Sequence, residues 1–217
     1  IQVAQRESGG MPVGCSGTGG YFNEKIARAS NVIFIHGNDQ SRQRLWQLIQ
    51  KAKAIKPVRP VVVNEDSQAL GNMNVCMREG VSWGYYNNMT KQEPPTDWSI
   101  TPGEDQFFAE RMALMLGIHR EAPDREHRFY LQGLEKNMTC DGKRWIRLAT
   151  FYPEEVDYVA FTRNGQVVGC SYDDPFTLNN IGSNWYQPPF CEMIQPDEKW
   201  SAVVHLRDNS VLEIKAD

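Results

Sequence analysis

The stretch Pro60-Val61-Val62-Val63-Asn64-Glu65-Asp66 constrains this chain more than any other. Three β-branched residues in a row, fenced by Pro57 and Pro60 and running into polar residues, predict a short strand buried on both faces. Strands of that kind belong to parallel α/β sheets, which hold their chemistry at the carboxyl ends of the strands. Glu65 stands at such an end.

The sequence around it alternates in the same sense. Met11–Ser16 predicts a strand, followed by the loop Gly17-Thr18-Gly19-Gly20 and a short helix over residues 22–30. That loop lacks the lysine and the spacing of a P-loop, so its glycines predict close backbone packing before they predict a phosphate cradle. Asn31–His36 is a second strand of the buried type, ending in His36-Gly37-Asn38-Asp39. Ser41 caps the next helix, where Leu45, Leu48, Ile49, Ala52 and Ile55 form a stripe for packing on a sheet. A weaker helix over 67–79 follows the valine strand, with Asp66 as its expected cap. Gly80–Asn88 is a fourth, aromatic strand, and Glu104–Leu116 a further helix with acids in its first turn.

After Gly117 the helical period disappears. Short alternating segments at 128–133, 144–152, 156–163, 166–172, 185–190, 201–206 and 210–215 take over. Arg163-Asn164-Gly165-Gln166 predicts a type I′ hairpin turn, and Asp208-Asn209-Ser210 a second turn. So many short strands predict an antiparallel sandwich of immunoglobulin type over 125–217, without that family's disulfide signature. Residues 1–120 then form the first domain, with the boundary near 118–126.

The net charge of −4 and pI near 5.6 leave no basic stripe for nucleic acid. No apolar run reaches the roughly 18 residues of a membrane span. The five cysteines, Cys15, Cys76, Cys140, Cys170 and Cys191, have no zinc spacing, so neither a metal nor a cofactor is expected. They are expected to be mostly buried free thiols, with a bridge among the last three left open for an exported protein. Asn-x-Thr sequons begin at Asn88 and Asn137. Ile1–Arg6 lacks the features of a signal peptide and reads as the interior of a longer protein.

Four β-α units in about 118 residues fit either a small doubly wound sheet or half of an eight-stranded β/α barrel. The strand ends favour the second. Residues 1 to about 117 resemble the carboxyl-terminal half of a (β/α)8 glycoside hydrolase from the large clan with two catalytic glutamates. The resemblance rests on Pro60-Val61-Val62-Val63-Asn64-Glu65 as strand seven, Ser82-Trp83-Gly84-Tyr85-Tyr86 as strand eight and Ile35-His36-Gly37-Asn38 as strand six.

It implies Glu65 as the nucleophile, with His36, Asn38, Asn64, Trp83, Tyr85 and Ser16 against the sugar and Trp83 as its floor. It also implies an oligo- or polysaccharide substrate. Strands one to four and the acid/base glutamate are not found in the chain, which implies little or no activity alone. The missing amino-terminal half or a second copy is the implied completing partner. The resemblance also implies a bacterial protein that is secreted or periplasmic. Two other functions stay open: a carbohydrate-binding or surface-interaction module without catalysis, and a doubly wound domain that holds an anion at the Gly17–Gly20 loop.

Overall fold

The computed structural model describes residues 1–38, 40–66, 69–85, 100, 102–118, 121–134, 139–140, 143–179, 190 and 192–216. These fall into two compact units, one within Ile1–Tyr86 and the other within Asn87–Asp217. The chain is a mixed α/β protein with several antiparallel sheets and few helices.

In the first unit the elements are α1 (Gln2–Glu7), α2 (Glu24–Ala29), β1 (Ile33–His36), α3 (Arg42–Lys53), β2 (Val61–Glu65), α4 (Leu70–Arg78) and β3 (Ser82–Trp83). The caps follow from local chemistry. The Asn23 side chain accepts from the amides of Lys25 and Ile26, and Ser41 Oγ accepts from Arg44 N at 3.3 Å.

The three strands pair in parallel in the order β1-β2-β3. Ile33 and Ile35 lie opposite Val61 and Val63, and Val63 lies opposite Trp83, so all five project from one face. Every one is buried, under the Leu45, Leu48, Ile49 and Ala52 stripe of α3 and the Leu70, Met73 and Cys76 side of α4. The opposite face carries Phe34 and Val62, half-buried, and Ser82, exposed.

Two sequence expectations differ here. Met11–Ser16 forms no strand: Val13 is held by Asn31, whose N donates to Val13 O at 2.7 Å and whose Oδ1 accepts from Val13 N at 3.1 Å, and the next tie to β1 is Gly20 N to His36 O at 3.2 Å. Pro12 has no N–H to give a ladder, and Gly14 and Gly17 weaken an extended run. The aromatic strand is short, Ser82–Trp83; Tyr86–Asn88 lie outside the described residues.

The second unit contains α5 (Glu104–Met115), β4 (Phe129–Gln132), β5 (Thr139–Cys140), β6 (Lys143–Arg144), β7 (Arg147–Thr150), β8 (Val156–Arg163), β9 (Gln166–Ser171), β10 (Phe176–Thr177), β11 (Trp200–Leu206) and β12 (Val211–Lys215). The sheets β10-β7-β4 and β12-β11-β8-β9 are antiparallel, and β5 and β6 pair with each other. Phe129, Leu131 and Leu148 from the first sheet, with Ile146 just before β7, share one core with Val159, Phe161, Trp200, Ala202 and Val204 from the second. Asn164 and Gly165 both have positive φ, 53° and 78°, in the β8–β9 turn, the backbone that Asn-Gly accepts with least strain.

Helix α5 belongs to this second unit, although it precedes the boundary expected at 118–126. The reason is a buried polar anchor. Arg147 Nη1 of β7 meets Glu104 Oε2 at 2.5 Å, Glu104 N donates to Gln132 Oε1 at 3.0 Å, and Arg111 Nη1 donates to Phe151 O at 3.2 Å. Phe107 meets Phe151 edge to face. The sequence showed the helix and its stripe, but not the sheet it covers.

Candidate functional site

The valine run makes β2, and the residues that end it gather several of the candidate side chains. Beyond Ile35 the β1–β2 register slips by one residue, so that His36 pairs with Glu65. Gly37 N then donates to Glu65 O at 2.8 Å, which carries the pairing past the strand ends. The slip leaves Asn64 and Glu65 together opposite His36, and their side chains bond to different partners. The candidates accordingly form two pairs.

In one pair Glu65 is half-buried and its Oε1 accepts from Asn38 Nδ2 at 3.2 Å. In the other, Asn64 Nδ2 lies 3.2 Å from His36 Nε2. With the amide N–H donating, that ring nitrogen is the acceptor. Tyr85 is half-buried and stacks on Trp83 with ring centroids 5.4 Å apart. Ser16 is half-buried in the 11–17 segment, and no hydrogen bond among the described residues joins it to the other candidates. Asp39 lies outside the described residues.

Trp83 is 6% exposed, and its Nε1 donates to Asp66 Oδ2 at 2.8 Å. Most of its indole is therefore interior surface. Asp66 itself is fully buried and also accepts from Asn72 Nδ2 at 3.0 Å. It does not cap α4, whose N-cap residue is Ala69 without a side-chain cap. A Cβ on Gly37 would lie 2.5 Å from the Asp66 carboxyl group, so glycine there is what lets β1 close over the acid. Sequence reasoning missed this buried hub. The signal was present in the adjacent Glu65-Asp66 pair and in the His36-Gly37 step, but only the fold shows which acid turns inward.

The buried acid affects its neighbour. Burial first, and then the Asp66 charge, push the Cys76 thiol far above its ordinary range. Cys76 is a core residue, Cys15 is exposed and Cys170 half-buried, and all three are free thiols. Cys191 and the side chain of Cys140 lie outside the described residues, as do the asparagines of both sequons. Among the described residues no group of three or more His, Cys, Asp or Glu is arranged to hold a metal, and no helix is long and apolar enough to cross a membrane.

The charged cluster on the second unit is already paired. Arg125 meets Asp208 at 2.7 Å and Arg128 meets Glu155 at 3.6 Å, so the surface around them offers little uncompensated charge. No protein-family model and no curated protein matches the sequence. The chemical reading therefore rests on the strand ends alone. A half-buried carboxylate with one oxygen fixed by a neutral amide is equipped for nucleophilic attack or for accepting a proton.

Proposed function

We propose that the first unit is the carboxyl-terminal part of a β/α barrel that cleaves glycosidic bonds with retention. Glu65 is the attacking carboxylate, and a β-sandwich of immunoglobulin type follows it. The observation that carries the reading is the Glu65–Asn38 contact at the carboxyl end of β2, with β1 and β3 parallel on either side in chain order. Sequential parallel neighbours suit a barrel segment. The doubly wound alternative needs a reversal of strand order and a helix springing from the glycine loop. Here the order runs straight through, and α2 begins at Glu24 on an Asn23 cap.

Retaining hydrolysis needs a second carboxyl group about 5–5.5 Å from the first. Asp66 is committed to Trp83 and Asn72, so the acid/base must come from elsewhere, either from more of the same polypeptide or from a second copy. That commitment is also what favours the second reading, a module that binds glycans outside the cell without cleaving them.

A leaving group that needs no proton separates the two. A 2-deoxy-2-fluoro glycoside of dinitrophenol is expected to label this chain at Glu65, read as one added glycosyl mass on the Glu65 peptide. Glu65→Gln is expected to abolish labelling and keep glycan binding. Aryl glycosides whose leaving group requires protonation should turn over little or not at all. Glycan binding with no label from a panel of such probes would assign the chain to the binding module, and brisk turnover of ordinary aryl glycosides would show that the chain carries its own acid.

A further inference from the structure

Asn38 follows the end of β1 and is 6% exposed. Its Nδ2 donates to Glu65 Oε1 at 3.2 Å, whereas its Oδ1 is buried and receives no hydrogen bond among the described residues. The backbone around it is well tied. Gln40 Nε2 donates to Asn38 O at 3.2 Å and Gln40 N to Gly37 O at 3.1 Å. Turning the amide over does not help. An ionised carboxylate only accepts, so the amide nitrogen must face Glu65 and the oxygen must face away.

Most buried side-chain polar atoms are paired, and one that is not requires a reason other than packing. The hydrogen bond to Glu65 and the desolvation of an unpaired acceptor are of similar size, so the amide adds little net stability. The one thing this amide adds is an N–H held in a fixed direction toward Glu65.

We infer that Asn38 is a positioning residue, adding little to stability, whose N–H holds the Glu65 carboxylate in one orientation for reaction. The inference rests on Glu65 being the reacting group. It gives Asn38 a different task from touching the sugar, since the amide has one end on Glu65 and the other enclosed.

The test uses Asn38→Leu, which keeps the branched shape with somewhat more bulk and removes the N–H, and Asn38→Asp, which keeps the shape and sets a second acid beside Glu65. Both are made in the full chain, with three readouts. The thermal midpoint of Asn38→Leu is expected close to that of the wild type. Modification of Glu65 by a water-soluble carbodiimide and an amine, followed by peptide mass, should speed up roughly fivefold in both variants, about the worth of one hydrogen bond. With the fluoro-glycoside, the maximal labelling rate should fall about tenfold while the half-saturating concentration stays the same.

A midpoint several degrees lower in Asn38→Leu would make the amide structural and overturn the inference. So would an unchanged carbodiimide rate, or a weaker half-saturation with an unchanged maximal rate, which marks a sugar contact. If no glycoside labels the wild type, the glycosidase reading fails, and the melting and carbodiimide results still decide the role of Asn38.

Discussion

Trp83 illustrates how one residue type serves two opposed readings. In the sequence its indole was a platform for a sugar ring; in the fold it is 6% exposed and donates to a fully buried acid. The two roles predict different mutants. Trp83→Phe keeps an aromatic face but removes the N–H from Asp66, leaving a buried carboxylate with one donor fewer. Such a loss costs about 1–3 kcal/mol, or a fall in melting midpoint of roughly 4–8 °C per kcal/mol for a domain of this size. Thermal unfolding followed by circular dichroism measures it. A midpoint within a degree of wild type would return Trp83 to the ligand. The valine run located Glu65 because β-branching and a polar stop are local properties. The partner of Asp66 was not legible, since it depends on the β2–β3 register and on glycine at position 37.

At the scale of elements, α5 and β7 are joined through an ion pair with almost no water around it: side-chain exposures are 5% for Glu104 and 4% for Arg147. Burial raises the Glu104 carboxyl to about 7, against the opposing pull of Arg147. The folded chain then keeps this proton to a higher pH than the unfolded chain, whose ordinary value is 4.5. The contribution to stability is complete below pH 4.5 and is lost as pH rises through 7. It amounts to about 3 kcal/mol at most. Urea unfolding between those limits is expected to show stability falling with pH in wild type. Glu104→Gln should remove that slope and match wild type most nearly at low pH, where Glu104 is itself uncharged. A mutant with the wild-type slope would place the titration elsewhere. The helix itself was legible from its first-turn acids and its Phe107 and Arg111 side. Its anchoring was not, because Arg147 reads as an ordinary strand-end charge until the sheet brings it under Glu104.

At the scale of the molecule, the change from helical to alternating period after Gly117 is real in the sequence, but it is not where the compact units part. A period reports local geometry; a unit boundary reports which core an element is buried in. Helix α5 has the period of the first half and the burial of the second, through Glu104, Phe107 and Arg111. Two fragments test this. One beginning at residue 100 retains α5 and is expected to unfold in a single urea transition with the sheet-rich circular dichroism of the second unit. One beginning at residue 121 keeps every strand from β4 onward but strips Glu104 from Arg147 and Phe107 from Phe151. It should be less stable by about 3 kcal/mol or more, the usual result of breaking a buried pair, or fail to fold. Equal midpoints would mean that the helix is an ornament on a self-sufficient sheet pair, and that the change of period marks the boundary after all.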